Sequence, residues 1–285
     1  MKTFLFGMVL LGLMPSGWSA TTIDTANRYA YAADLGWLDW HGNAGDGVVI
    51  GEYVCSGYIY SANVGWISLG SGVPANGVQY QNNLAADFGV NQDGLGNLRG
   101  YAYGANIGWL NFENLGAPKV DLLTGKFAGY VYGANCGWIS LSNAVAYVQT
   151  GSIQPGVLAT NGLPIAWLLQ NFGTTNVSAA ADPDHDGVSN LNEYLVGTDP
   201  NNGADYLRIT GESFGRGGTN ATLAWTSKLT RYYHVQKILF LNSTNWTDSP
   251  LGVTSPDGNS TSRSFSDTNA PVRFYRVEAV RPLMQ

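Results

Sequence analysis

Tyr29-Ala-Tyr-Ala-Ala-Asp-Leu-Gly-Trp-Leu-Asp-Trp40 aligns without gaps on Tyr58-Ile-Tyr-Ser-Ala-Asn-Val-Gly-Trp-Ile-Ser-Leu69, on Tyr101-Ala-Tyr-Gly-Ala-Asn-Ile-Gly-Trp-Leu-Asn-Phe112 and on Tyr130-Val-Tyr-Gly-Ala-Asn-Cys-Gly-Trp-Ile-Ser-Leu141. Trp37, Trp66, Trp109 and Trp138 are spaced by 29, 43 and 29 residues, so a two-motif unit recurs at 72. Tyr29 to Leu69 matches Tyr101 to Leu141 at 18 of 41 positions without an insertion, the mark of a duplication. Each motif has a β-rich half, an Ala-Asn or Ala-Asp turn, and a second half opening at Gly-Trp, which predicts a β-hairpin.

Period two assigns the faces of those hairpins. In the second half the Gly, the Ile or Leu and the final Leu, Phe or Trp share one face, while the Trp and the Asp, Ser or Asn share the other. Two readings of the aromatic face stay open. Large rings each bury about 150 to 250 Å², which favours Trp37, Trp66, Trp109 and Trp138 as core residues; on an exposed face the same row forms a platform for glycan stacking. Cys136 falls where the other motifs carry Leu35, Val64 and Ile107, and Cys55 aligns with Leu98 and Phe127. Both are therefore expected to be buried, as free thiols or as one inter-repeat disulfide.

Working outward, Met1-Lys2-Thr3 precedes an apolar run from Phe4 to Met14 and a small-residue end at Ser19-Ala20, which reads as an export signal over residues 1–20. The run is too short to span a bilayer, and no transmembrane span is expected in the mature chain. The expected location is secreted or at the cell surface. Charged residues make up only 12% of the chain, about half the usual share, and the net charge is −6. Such a balance offers no footprint for phosphates, so nucleic acid is an unexpected partner. Residues 21–150 hold eleven of the sixteen tyrosines, residues 151–203 carry five acids and no Lys or Arg, and residues 204–285 are basic. These shifts divide the mature chain into a four-motif β-repeat domain, an acidic segment and a C-terminal domain.

In the acidic segment, Asp182-Pro-Asp-His-Asp-Gly-Val-Ser-Asn-Leu-Asn-Glu193 satisfies D-x-[DN]-x-[DN]-G-x5-E at every fixed position. The spacing turns Asp182, Asp184 and Asp186 inward, Gly187 allows the bend, and the Val188 carbonyl adds a further oxygen. Asn190 acts directly or through water, Glu193 closes the shell from the following helix, and His185 points outward. A hard cation with six to eight oxygen ligands fits this set, and a structural Ca²⁺ is expected. The loop resembles that of the EF-hand and, more closely, the half-hand versions of bacterial dockerins and thrombospondin type 3-like repeats. It departs from the EF-hand at Ser189, where an apolar residue is usual, and in having eight residues between Gly173, the stop of the preceding helix from Leu163 to Phe172, and Asp182. A full dockerin carries two such loops and this chain has one. A second short helix is predicted from Asn190 to Val196.

From Tyr206 onward, runs at Leu207–Thr210, Thr222–Trp225, Tyr232–Ile238, Ser262–Phe265 and Arg273–Val280 predict a small β-sandwich. Ala221-Thr-Leu-Ala-Trp225, Thr244-Asn-Trp-Thr247 and Arg273-Phe-Tyr-Arg-Val277 make this stretch similar to fibronectin type III-like modules. The fold class expected for the whole is mainly β: an antiparallel hairpin-repeat domain, a short helix, calcium loop and helix, and a C-terminal β-sandwich. The order of parts resembles uncharacterised bacterial surface proteins with G-Y-x-Y-G-x-N-x-G-W-I repeats.

Catalysis needs an activated nucleophile or a matched acid and base. His41, His185 and His234 lie in three different regions, no nucleophile-elbow, zinc or phosphate-loop signature occurs, and Asp34 and Asp39 become Asn106 and Asn111 in the duplicate. No catalytic residue is expected. The leading expectation is a non-catalytic surface protein, acting in adhesion or assembly on an unknown surface protein or polysaccharide. A lectin-like module and an accessory domain of polysaccharide degradation with dockerin-like docking are the alternatives.

Overall fold

The computed structural model describes residues 20–283 apart from 44, 216–219, 243 and 268–272. The export signal expected over residues 1–20 thus lies outside the described residues but for Ala20. The chain is mainly β, with antiparallel sheets, two short α-helices and an eight-stranded barrel.

Each repeat supplies one hairpin of that barrel. The strands are β1 (Ile23–Ala32), β2 (Gly36–Asp39), β3 (Cys55–Ser61), β4 (Gly65–Ser71), β5 (Leu98–Gly104), β6 (Gly108–Asn111), β7 (Tyr130–Gly133) and β8 (Gly137–Ser140). The register repeats: Tyr31 faces Trp37, Tyr60 faces Trp66, Tyr103 faces Trp109 and Tyr132 faces Trp138. Neighbouring hairpins pair through Asp39 with Tyr60, Ser68 with Tyr103 and Tyr132 with Asn111. Tyr31 with Ser140 and Ala32 with Ile139 then join the first hairpin to the last. That pairing closes the ring, and closure removes sheet edges.

The tight turns are local chemistry. Gly36, Gly65, Gly108 and Gly137 have φ of +69°, +77°, +75° and +68°, a left-handed conformation that ends a three-residue hairpin loop and that a side chain would resist. Leu35, Ile107 and Cys136, one position earlier, are buried and plug this end of the barrel.

Inside, the alternation is strict. Leu38, Ile67, Leu110 and Ile139 form one layer, and Trp40, Leu69, Phe112 and Leu141 another, all at most 2% exposed. Side-chain size alternates around the barrel: hairpins one and three carry a small Ala30 or Ala102 in the first strand and a large Trp40 or Phe112 just after the second, whereas two and four carry Ile59 or Val131 and Leu69 or Leu141. Trp40 meets Phe112 at 6.3 Å and Phe127 at 5.2 Å between ring centroids. Such filling suits an eight-stranded barrel, whose interior is just wide enough for side chains.

The core reading of the repeat tryptophans is therefore overturned. Trp37, Trp66, Trp109 and Trp138 point outward and are 44–47% exposed. The disulfide alternative also fails. Cys55 and Cys136 are free and buried; Cys55 opens β3 far from its turn, while Cys136 sits in the turn of the fourth hairpin. Burial pushes the Cys55 thiol up to about 12, which keeps it protonated and inert.

Beyond the barrel come α1 (Ile165–Phe172) and α2 (Asn190–Val196), which end at Gly173 and Gly197 in left-handed geometry. They share a small core of Leu163, Trp167, Leu168 and Tyr194. The C-terminal stretch forms β9 (Ile209–Phe214), β10 (Asn220–Thr226), β11 (Tyr232–Ile238), β12 (Thr247–Thr254), β13 (Ser260–Ser266) and β14 (Phe274–Val280). Two three-stranded sheets result, ordered β9-β10-β13 and β12-β11-β14, with Leu223, Trp225, Tyr233 and Val235 buried together. The expected strand at Leu207–Thr210 begins at Ile209 instead, and β12 is an additional strand. It holds Pro250 and, among the described residues, pairs only with β11, in keeping with proline's place on sheet edges. Among the described residues no helix is long and apolar enough to cross a membrane.

Candidate functional site

The acidic loop is built so that each ligand candidate has one atom pinned and another left over. Asp182 Oδ2 accepts from the Gly187 amide at 3.0 Å, Asp184 Oδ1 from the Asp186 amide at 3.4 Å, and Asp186 Oδ1 from the Val188 amide at 2.7 Å. Asn190 Nδ2 donates to the Ser178 carbonyl at 2.8 Å, and the Thr198 hydroxyl donates to Glu193 Oε1 at 3.4 Å. The second oxygens, Asp182 Oδ1, Asp184 Oδ2, Asp186 Oδ2, Asn190 Oδ1 and Glu193 Oε2, are buried without a hydrogen-bond partner. Ligand atoms of the three aspartates lie within 4.8 Å of one another, close enough to share one metal ion.

Left-handed backbone at His185, φ +63°, and Gly187, φ +90°, bends the loop, and His185 is exposed as the spacing predicts. Ser189 has a use the EF-hand comparison hides: it is the N-cap of α2, and its hydroxyl accepts from the Asn192 amide. That helix start brings Asn190 and Glu193, both fully buried, to the loop. Burial foremost, then Asp184 and Asp186, pushes the Glu193 carboxyl up to about 8. The Asp186 carboxyl is also raised, by burial first and by Asp184 and Asp182 after it. Buried carboxylates crowded in this way are a costly arrangement that a bound cation relieves. The Thr198 and Ser178 partners were not visible in the spacing, since neither belongs to the twelve-residue pattern.

The second constellation lies on the barrel wall. Each outward Trp is flanked by the two tyrosines of its own hairpin, the first edge-on and the second edge-on or tilted. Trp37 lies 6.2 and 5.0 Å from Tyr29 and Tyr31, and Trp66 lies 6.1 and 4.9 Å from Tyr58 and Tyr60. Trp109 lies 6.3 and 4.8 Å from Tyr101 and Tyr103, and Trp138 lies 6.2 and 5.0 Å from Tyr130 and Tyr132. Four near-identical aromatic clusters therefore surround one barrel. The third differs in that Phe88 leans on Trp109 at 5.1 Å, a contact from outside the motif.

Asparagines stitch the turns above these clusters. Asn63 Nδ2 donates to the Leu35 carbonyl at 2.9 Å, Asn106 to Val64 at 3.0 Å and Asn135 to Ile107 at 3.1 Å. Each turn thereby grips the one before it. The fourth position is Asp34, beside Gly137 as the asparagines are beside Gly36, Gly65 and Gly108, and an aspartate has no amide hydrogen with which to complete the ring. No family model, no curated protein and no solved structure matches the chain.

Proposed function

We propose that this chain is a non-catalytic, exported surface module whose barrel binds glycan through its Tyr–Trp clusters, and whose acidic loop holds a structural Ca²⁺. The single observation that carries the binding reading is the outward, fourfold-repeated exposure of Trp37, Trp66, Trp109 and Trp138 beside tyrosines that fix their orientation. Trp and Tyr offer large rigid contact area at low entropic cost, with a polar edge beside an apolar face. Sugar rings present the matching apolar C–H faces. The Ca²⁺ reading rests on oxygen-only donors, on the buried leftover oxygens of Asp182, Asp184, Asp186, Asn190 and Glu193, and on the Val188 carbonyl at the seventh loop position. On this reading residues 151–203 are a half EF-hand-like segment. Residues 204–285 read as a fibronectin type III-like sandwich, supported by two sheets around Trp225 and Tyr233.

The test is a glycan array and a cell-wall pull-down with the purified chain, with and without calcium. Saturable sugar binding is expected, weakened about tenfold or more by Trp66→Ala together with Trp138→Ala. No sugar binding at high protein concentration would replace the lectin reading with adhesion to a surface protein.

A further inference from the structure

One cluster of charged side chains joins all three parts of the molecule. Glu52, in the barrel between the short strand Val49–Ile50 and β3, accepts from the Tyr194 hydroxyl at 2.8 Å. The same carboxylate pairs with Arg281 at 3.3 Å and Arg231 at 3.5 Å. Those arginines stand side by side, because Tyr232 of β11 is paired with Val280 of β14. Tyr194 belongs to α2, one residue after the loop ligand Glu193.

Arg231 also caps that helix. Its Nε donates to the Leu195 carbonyl at 2.8 Å and its Nη2 to the Tyr194 carbonyl at 2.5 Å, while the Arg281 guanidinium lies 4.7 Å from the Tyr194 ring centroid. The side chains of Arg231, Arg281 and Glu52 are only 5%, 4% and 14% exposed. Charges this deep are tolerated when every partner is in place, and removing one partner strands the others. The cluster therefore assembles as a unit or fails as a unit. Among the described residues, the other contacts between the barrel and the C-terminal sheets include those of partly buried Tyr232 and Leu283 against the barrel core.

α2 is only seven residues long, far below the length at which a helix holds itself in water. Its two ends are held by different means: the loop oxygens at Asn190 and Glu193, and the arginines at Tyr194 and Leu195. We infer that α2 is a calcium-dependent clasp, which locks the barrel to the C-terminal sheets when the loop binds its ion and releases them when the ion is removed. This rests on the Ca²⁺ reading of the loop. Release follows from the geometry: with no cation, Glu193 and Asn190 bring buried unpartnered oxygens into the first turn, the turn frays, and Arg231 loses its carbonyl acceptors.

Coupling of this kind is reciprocal, so loosening the cluster must weaken the ion. The test pairs calorimetric titration of CaCl₂ into the full chain with small-angle X-ray scattering in calcium and in EGTA. Calcium should bind, and EGTA should raise the radius of gyration by several ångströms above its calcium-bound value. Glu52→Gln, remote from the loop, should weaken calcium binding about fivefold or more and give the expanded scattering curve at sub-saturating calcium. Arg281→Gln should do the same, and serves if Glu52→Gln does not fold. Calcium binding with identical scattering in EGTA and unchanged affinity in the variants would overturn the clasp and leave the metal site standing. Absence of calcium binding would overturn both.

Discussion

The barrel and the acidic segment solve the same problem with opposite means. The barrel is built on one cluster of twenty-seven buried residues and pairs every wall strand on both sides. The segment from residue 151 to 203 has a separate buried cluster of only Leu163, Trp167, Leu168 and Tyr194, two short helices and five buried oxygens without partners. One region is stabilised by apolar burial and a closed ladder, the other, on the proposed reading, by a cation and by its neighbours. The lesson is that stability in this chain is distributed unevenly, so that a local change of solvent chemistry can act on the segment and leave the wall untouched.

That contrast can be broken or sharpened by substitution. The largest effect is expected from Leu110→Ala, which opens a cavity in the fully packed layer and should cost about 2 to 5 kcal/mol in chemical denaturation, in calcium and in EGTA alike. A smaller and more local loss is expected from Glu193→Ala. Calcium at a hundredfold excess over its dissociation constant stabilises by about 2.7 kcal/mol, and the variant should lose that response in a melting experiment. Amide exchange should rise around residues 182–198 and stay slow in the barrel strands; if the barrel amides quicken equally, the two regions are not independent and the contrast is wrong. The smallest effect is a gain. Asp34→Asn supplies the missing amide hydrogen at the first-to-last hairpin junction and should stabilise the barrel by about 0.5 to 1.5 kcal/mol, read in the same denaturation series.

Much of this was legible in the residues themselves. The Y-x-Y-x-A-[ND]-x-G-W pattern places both halves of each hairpin, its turn and its two faces, because period two and a left-handed glycine are backbone properties. Which face points inward was not legible, since both carry large apolar side chains. Space decides it: the hairpins carry two tyrosines and a tryptophan each on the aromatic face, too much volume for an eight-stranded interior that Leu38, Ile67, Leu110 and Ile139 already fill. The twelve-residue loop was readable because its donors follow a fixed spacing along one stretch of chain. Barrel closure through Tyr31 and Ser140 was not, nor was the meeting of Glu52, Arg231 and Arg281, since these partners lie far apart in sequence and carry no mutual signature. β12 escaped because Asp248, Pro250 and Gly252 interrupt any strand pattern, which only an edge position tolerates.

The pairing of first hairpin with last has a further consequence. Each motif spans a quarter of the circumference, so four is a closure condition and not merely a count. An open solenoid lengthens by one unit at no cost to the others, but here a fifth motif, or the loss of one, would change the strand number and with it the tilt and bore of the whole cylinder. The layers of Trp40 and Phe112 against Leu69 and Leu141 are fitted to that bore. Variation in repeat number should therefore proceed by whole barrels, each a ring of four.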